Sequence, residues 1–172
     1  MTADELAKAI GASAAHELVS ARDRIHHCLR QLSDEQVWWR SHPSQNSIGN
    51  LLLHLSGNLR QWIVAGLISA ADHRDRPAEF AERGPIPASE LLQRLDRAVN
   101  DAATVLKGLP AAELVRQRRI QGFDVTGLAA IFDSIPHFRG HTQEIVHRTR
   151  ELLGDKYQFA WTPATAEQGA SS

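Results

Sequence analysis

The sequence has little cysteine and no long apolar run. Cys28 is the single cysteine among 172 residues, so an intrachain disulfide and a Cys-x-x-Cys motif are both excluded. Because Cys28 lies inside a helical pattern, we expect it to be a small core residue. The longest strongly apolar stretch, Leu51 to Leu55, is interrupted by His54 and is far too short to cross a bilayer.

Neither sign of charge is in excess. The chain has 19 basic and 20 acidic side chains and no basic block, which argues against a surface that follows nucleic-acid phosphates. The N-terminal residues Met1 to Glu5 are acidic and lack the basic and then apolar run of a signal peptide. We therefore expect a cytoplasmic protein that binds neither nucleic acid nor membranes.

The overall composition is that of a globular protein. Apolar residues make up 42% and charged residues 23%, a balance that distinguishes a folded chain from a disordered one. A length of 172 residues corresponds to one domain with a sizeable core. We predict a single domain over residues 1–172, in which residues 155–172 form an irregular C-terminal tail.

Apolar residues recur at a helical period in four segments, and no segment shows convincing strand alternation. This pattern predicts an all-α fold, a four-helix bundle. The predicted helices cover residues 3–32, 47–69, 89–107 and 126–153, with Ser47 and Thr126 as N-caps of the second and fourth.

The remaining segments lack a helical period. Residues 70–87 are rich in charged residues, Gly and Pro, so we predict a solvated connection there, and residues 111–125 leave room for only a short extended pair. Pro136 predicts either a kink in the fourth helix or a later start. In the tail, the aromatic residues up to Trp161 are expected to pack on the body, and residues from Ala164 onward are expected to be loose.

Nine histidines are the unusual feature of this composition. His137 and His141 are four residues apart on one predicted helix, so both imidazoles face the same way and can reach one ion. Such a pair also arises by chance on a helix surface, and a metal site needs a third ligand from another helix. His54 is the best placed, on a polar stripe with Asn50 and Asn58 beside the apolar arc of the second helix.

The other histidines fit a site less well. We interpret four of them as surface residues in polar surroundings, namely His16, His26, His27 and His73. His42 precedes Pro43 in a predicted loop, where nothing specific indicates a ligand. His147 projects nearly a quarter turn away from the stripe that carries His137 and His141, which excludes it from the candidate site.

Two motifs together resemble the DinB/YfiT-like family. The segment Ser47-Ile-Gly-Asn-Leu-Leu-Leu-His54-Leu, followed by Trp62, resembles the second-helix motif of that family. The segment Pro136-His-Phe-Arg-Gly-His-Thr-Gln-Glu-Ile145 resembles its late His-x-x-x-His helix, and Trp38-Trp39 before the loop also fits. The similarity extends from about Trp38 to Leu153.

The resemblance implies a DinB-like four-helix bundle, often dimeric, in which three histidines bind zinc, nickel or another divalent ion. Carried over position by position, these ligands are His54, His137 and His141. The family includes S-transferases and isomerases that use low-molecular-weight thiols, together with many members of unknown activity. It thus implies a small-molecule substrate and a thiol cosubstrate. The exposed aromatic and apolar edges, Trp38 and Trp39 among them, agree with a homodimer.

Glu144 departs from the family pattern, because many relatives have Gln at this position. It follows His141 by three residues and lies on the same stripe, one turn further on. As the candidate catalytic residue it could orient a ligand imidazole or act as a base on metal-bound water. It could equally pair with Arg148 on the surface, and the sequence leaves these alternatives open.

Three neutral imidazoles leave a divalent ion with open coordination positions, as in catalytic zinc sites. Such an ion lowers the pKa of a bound water, polarises a carbonyl or binds a thiol as thiolate. The sequence offers no serine nucleophile elbow, phosphate-binding glycine loop or nucleotide fingerprint. The leading hypothesis is a metal-dependent thiol S-transferase or hydrolase-like enzyme, and the alternative is a non-catalytic, stress-associated metal-holding dimer.

Overall fold

The structure is a computed structural model that describes residues 1–160. Its elements in chain order are α1 (Ala3–Leu29), α2 (Asp34–Trp38), α3 (Ile48–Leu59), α4 (Gly66–Ile68), α5 (Arg76–Ala81), α6 (Ala88–Gly108), α7 (Ala111–Val115), β1 (Gln117–Ile120), β2 (Phe123–Thr126) and α8 (Gly127–Leu153). A π-helical segment, Arg60–Ala65, joins α3 to α4, and a short 3₁₀ turn, Gly154–Lys156, follows α8.

The predicted all-α four-helix bundle is confirmed. Its four long members are α1, the continuous rod from α3 to α4, α6 and α8; α1 packs on α6 and α8, and α3 packs on the same two helices. The apolar arc of α3 is buried in the shared core, where the Cys28 thiol also lies, as expected. Gly11 allows the backbones of α1 and α6 to touch, because a Cβ at this position would overlap the Leu106 carbonyl.

The N-caps set where the helices of the site begin. Ser47 Oγ accepts the Asn50 N–H at 3.2 Å, and Asn50 Oδ1 accepts the Ser47 N–H at 3.0 Å, which together form a capping box. Thr126 Oγ1 accepts the Ala129 N–H at 3.1 Å and starts α8. Such a cap stabilises a helix by about 1 kcal/mol. α8 therefore begins well before Pro136 and continues through it, so the later start is excluded.

The segment 70–87 is more ordered than a solvated connection. It contains α5, whose start is fixed by Asp75 Oδ1, which accepts the Ala78 N–H at 3.0 Å, and by Pro77 in the first turn. Asn50 Nδ2 donates to the backbone carbonyls of Glu79 and Glu82, both at 2.9 Å, and ties α5 to α3. None of residues 70–87 is in the buried class, as predicted for a solvated connection, but the composition did not predict α5 or its hydrogen bonds to α3.

The region 111–125 contains the short extended pair in a definite form. β1 and β2 are antiparallel, with Ile120 opposite Phe123. Gln121 and Gly122 both have positive φ, 52° and 86°, as a two-residue hairpin turn requires. The hairpin places Gln121 close to the C-terminal part of the α3 rod.

The beginning of the tail packs on the body. The Arg150 guanidinium lies 5.9 Å from the Tyr157 ring centroid and 5.2 Å from that of Phe159. The expectations for Trp161 and for residues from Ala164 onward fall outside the described residues. Within residues 1–160, no helix combines the length and the apolar character needed to span a bilayer.

Candidate metal centre

α3 and α8 bring the three candidate histidines together. One ring nitrogen each of His54, His137 and His141 lies within 4.8 Å of the others. The Nε2 atoms of His54 and His137 are 2.9 Å apart. Within residues 1–160, no other group of three His, Cys, Asp or Glu side chains converges in this way. His54 is buried, whereas the other two are half-buried.

Two of the rings are held from behind by carboxylates. His54 Nδ1 lies 3.1 Å from Glu79 Oε2, and His141 Nδ1 lies 2.9 Å from Glu144 Oε2. An ionised carboxylate only accepts hydrogen bonds, so each Nδ1 carries the proton and donates it. The tautomer that results leaves the Nε2 lone pair free, as in the carboxylate–histidine–metal arrangements of metalloproteins.

Arg74 fixes the carboxylate behind His54. Its Nε donates to Glu79 Oε1 at 2.7 Å and its Nη2 donates to Oε2 at 2.8 Å, with the Arg74 and Glu79 side chains only 3% and 10% exposed. Arg74 Nη2 also lies 3.0 Å from His54 Nδ1. A guanidinium only donates, so this contact cannot be a hydrogen bond while Nδ1 carries its proton. Burial raises the pKa of Glu79, but hydrogen bonds from Arg74 and His54 outweigh it and hold the pKa below its usual value.

His137 is neutral near physiological pH. Burial, and then the neighbouring imidazoles of His141 and His54, lower the pKa of His137 from 6.5 to about 4. A metal ligand must offer an unprotonated nitrogen, so this environment favours the ligand form.

The donor set fits a divalent ion of borderline softness. Zn–N bonds of 2.0–2.1 Å in tetrahedral geometry place ligand nitrogens about 3.3 Å apart. The Nε2 atoms of His54 and His137 are 2.9 Å apart, and all three pairs lie within 4.8 Å, so the three nitrogens are already close to the spacing that a zinc ion needs. Imidazole nitrogens suit zinc and nickel, whereas magnesium and calcium prefer oxygen ligands, and the nearby carboxylates here face the Nδ1 atoms instead.

Glu144 contacts both partners that the sequence suggested. Its Oε2 accepts from His141, and its Oε1 accepts from Arg148 Nε at 3.1 Å. Arg148 Nη1 in turn donates to the Asn46 carbonyl at 2.7 Å, which anchors the chain just before α3. The structure therefore contains both the contact that an orienting role needs and the ion pair with Arg148 that the sequence offered as the alternative.

The remaining histidines lie elsewhere. His16, His42, His73 and His147 are exposed. The half-buried pair His26 and His27 makes hydrogen bonds instead, the first to Asp96 Oδ1 at 2.8 Å and the second to the Gln158 carbonyl at 2.6 Å.

Sequence reasoning missed Arg74 and Glu79. Both lie in the polar segment that was predicted to be solvated, and α5 itself contains no buried residue that would give an apolar period. The available signal was local: an aspartate two residues before Pro77 is typical of a helix start, and it would have placed Glu79 in a helix.

A cavity of about 230 Å³ lies beside two of the three histidines, His54 and His137. Most of the residues around it have polar side chains: His54, Asn58, Trp62, Arg74, Arg76, Gln121, Asp133, Ser134 and His137. Trp62 Nε1 donates to Gln121 Oε1 at 3.0 Å, which joins the hairpin turn to the π-helical segment as one side of the cavity. The volume is below the roughly 300–1,000 Å³ of drug-sized sites, so it suits a small ligand.

Comparison with known proteins supports the fold and the family. A family profile described as "Protein of unknown function (DUF1572)" matches residues 6–165. A conserved protein of Enterococcus faecalis has a similar structure, with a TM-score of 0.70 and 18% identity over 82% of this chain and 95% of that one. The DinB-like protein YjoA of Bacillus subtilis has a TM-score of 0.65 and 14% identity over 88% and 99%. No curated protein sequence matches the chain.

Proposed function

This chain belongs to the DUF1572 family of proteins of unknown function and has a DinB-like fold, and on that premise we propose that it is a metal-dependent enzyme. His54, His137 and His141 would hold one divalent ion, with zinc and nickel the expected metals. The proposed reaction transfers a low-molecular-weight thiol to a small electrophilic molecule, or hydrolyses a small molecule.

The observation that carries this proposal is the direction of the ring nitrogens. The carboxylates of Glu79 and Glu144 keep the Nδ1 protons of His54 and His141, so both Nε2 lone pairs are free. His54 Nε2 lies 2.9 Å from His137 Nε2, and either one shared proton or one cation satisfies two imidazole nitrogens at that separation. Three imidazole nitrogens that converge within 4.8 Å of one another therefore offer a divalent ion a ready set of ligands.

When bound, the ion would supply Lewis acidity that lowers the pKa of a coordinated thiol or water. Glu79, itself held by Arg74, keeps the His54 ring in position, and Glu144 does the same for His141. The cavity beside His54 and His137 would hold a small molecule next to the ion. Three protein ligands rather than four are typical of catalytic sites.

The second candidate function is that of a non-catalytic dimer that holds a metal ion. An apolar groove formed by α1 and α8 favours dimerisation. The groove, of about 420 Å³, contains Ile10, Ile131 and Ile135, and Phe132 beside them is 66% exposed. Trp38, in contrast, packs within the chain and donates its Nε1–H to the Ile86 carbonyl at 2.8 Å. An interface would therefore use the groove more than Trp38.

Metal content of protein purified without an affinity tag tests the proposal. We expect about one equivalent of a divalent ion, and its loss when His54, His137 or His141 is replaced by Ala, because two ligands rarely hold an ion against water. His16→Ala and His73→Ala are matched controls on exposed histidines. A full equivalent retained in all three ligand variants would refute the site.

A screen of thiol cosubstrates with a chromogenic electrophile then separates the two candidates. Turnover that needs both the metal and the thiol supports the enzyme. Tight metal binding without turnover for any thiol or hydrolysable ester favours the metal-holding dimer.

A further inference from the structure

One arginine beside the candidate metal centre has no partner among the described residues. Arg76, the first residue of α5, lines the cavity of about 230 Å³ together with His54 and His137. It is exposed, so a molecule in the cavity can reach it. Within residues 1–160, the carboxylates of the candidate site pair with Arg74 and Arg148, and no ion pair or side-chain hydrogen bond includes the Arg76 guanidinium.

The neighbouring Arg74 is used in the opposite way. Its side chain is only 3% exposed, its Nε and Nη2 donate to Glu79, and its Nη1 donates to Gln61 at 2.9 Å. Every nitrogen of this guanidinium is therefore bonded within the protein, and Glu79 neutralises its charge. Arg74 supports the site from inside the fold, whereas the donors of Arg76 are available to a ligand.

Phe80 positions the Arg76 side chain next to the metal centre. The Arg76 Cζ atom lies over the Phe80 ring, 5.0 Å from its centroid, and the same ring lies 4.9 Å from the His54 ring, centroid to centroid. Arg76 and Phe80 are four residues apart, so one turn of α5 brings them together. A guanidinium that stacks on an aromatic face keeps its N–H donors directed outward in its own plane. Phe80 thus orients Arg76 without using any of these donors.

The charges around the cavity favour an anion once the metal is bound. Arg74 and Glu79 neutralise each other, which leaves Arg76 and Asp133 as the other charged residues that the described part of the chain places there. Three neutral imidazoles do not compensate the charge of a divalent ion. The ion and Arg76 together therefore outweigh the single negative charge of Asp133.

A carboxylate is the anion that fits Arg76 best in this space. A guanidinium offers two parallel N–H donors to the two coplanar oxygens of a carboxylate, a geometry that an ammonium group lacks. A phosphoryl group offers oxygens in the same way but carries up to twice the charge, which Asp133 disfavours. The volume of about 230 Å³ limits the ligand to a small molecule.

We propose that Arg76 binds a carboxylate group of the small molecule whose other end meets the ion at His54, His137 and His141. The class of ligand is a short carboxylic acid with a second group that can coordinate a metal. This inference rests on the proposed function, because the second anchor of the ligand is the metal. It deepens that function by naming one end of the substrate.

Cobalt-loaded protein provides the test, with the visible absorption of the ion as the measure of ligand binding. The probes are malonate, succinate and glutarate, together with the monoamide of each. The two members of a pair differ by an amide in place of one carboxylate, so they report the effect of the charge at nearly constant shape. The three lengths cover a range of distances between the ion and Arg76, and the wild type should prefer the dicarboxylate at the length that fits.

Arg76→Gln should reduce this preference by roughly three- to tenfold, the lower part of the range for hydrogen bonds to a charged group, because solvent screens an exposed side chain. Added salt should weaken the preference of the wild type more than that of the variant. The comparison of wild type with variant cancels any intrinsic difference between acid and amide in binding the ion. Since Arg76 is exposed and has no described polar partner, the variant should fold and take up cobalt as the wild type does.

Arg83→Gln is the matched control. It removes the same charge from an exposed position just after α5, but Arg83 does not line the cavity and its Nη1 donates to the backbone carbonyls of Phe80 and Glu82. It should leave the preference unchanged. An equal loss in Arg83→Gln and Arg76→Gln would show general attraction of anions rather than contact with Arg76, and would overturn the inference.

The other outcomes separate the inference from the proposed function. Cobalt uptake with no preference that depends on Arg76 in any of the three pairs would overturn the carboxylate contact and keep the metal centre. Cobalt uptake without binding of any probe would also overturn it. Stronger binding of 3-phosphonopropionate than of succinate, lost in Arg76→Gln, would overturn the carboxylate as the ligand group. Failure of the wild type to bind cobalt would refute the proposed function itself.

Discussion

The carboxylate behind His54 should set the metal affinity of the site. In the native protein the negative charge of Glu79 holds the proton on His54 Nδ1 and neutralises Arg74. Glu79→Gln removes this charge. Arg74 Nη2, which already lies 3.0 Å from His54 Nδ1, then becomes the natural donor to that atom. The proton would shift to Nε2, the atom that faces His137, and the lone pair available to a metal would be lost.

The expected loss of affinity is large for a residue that does not touch the metal. Replacing such outer partners of a ligand histidine typically costs ten- to a hundredfold in affinity, or about 1.4–2.7 kcal/mol. The Glu79 side chain is 10% exposed, so solvent cannot replace the hydrogen bond and we expect the upper part of this range. Glu79→Ala is less informative, because it also removes both oxygen atoms that accept from Arg74, whereas Gln keeps one of them.

Competition between the protein and a chromophoric zinc chelator measures the change. Glu82→Gln is the matched control in the same segment, since its carboxylate accepts only from the N–H groups of Arg83 and Gly84. The double variant Arg74→Met/Glu79→Gln should recover part of the affinity, because no donor then competes for His54 Nδ1. An unchanged zinc affinity in a folded Glu79→Gln protein would refute the proposed role of the carboxylate.

Three further predictions follow from the same geometry. Glu144→Gln should weaken zinc binding by about tenfold or less, which is a smaller effect than that of Glu79→Gln, because the Glu144 side chain is 35% exposed. The same competition with a chelator measures this loss of affinity. The pKa of His137 is about 4 in the native protein and 6.5 in the unfolded chain, so between these values the unfolded chain binds more protons. The metal-free protein should therefore become more stable as pH rises through that window. The gain has an upper limit of about 3 kcal/mol, and urea unfolding of wild type and His137→Phe at about pH 4.5 and pH 7 would reveal it or contradict it. Light scattering should give a homodimer mass for the wild type and a monomer for Phe132→Glu; a monomeric wild type at micromolar concentration would disprove the interface.

The helices of the site were predictable because their signals are local. Ser47 and Thr126 are capping residues directly before apolar periods, and the structure places both caps where the sequence indicates. The spacing of His137 and His141 follows from one turn of a helix, and His54 follows from the boundary of the apolar arc on α3.

The support of the site was not predictable because it depends on contacts distant in sequence. α5 has no buried apolar residue, so no hydrophobic periodicity marks it, and its position depends on the Asn50 amide of α3, which donates to two backbone carbonyls. The hairpin turn uses Gln121-Gly122 rather than the strongly favoured Asn-Gly, which weakens the turn signal.

α5 is held by polar contacts rather than by buried apolar residues, and this bears on how quickly the site could exchange its ion. A segment that buries few apolar contacts opens with a lower free energy than the whole protein, and hydrogen exchange detects such openings as a separate cooperative unit. Each opening of α5 would withdraw Glu79 from His54 while the bundle that carries the three histidines stays folded. Metal release would then follow the amide exchange rates of α5 rather than the unfolding rate of the protein, and it would proceed in denaturant too dilute to unfold the four long helices.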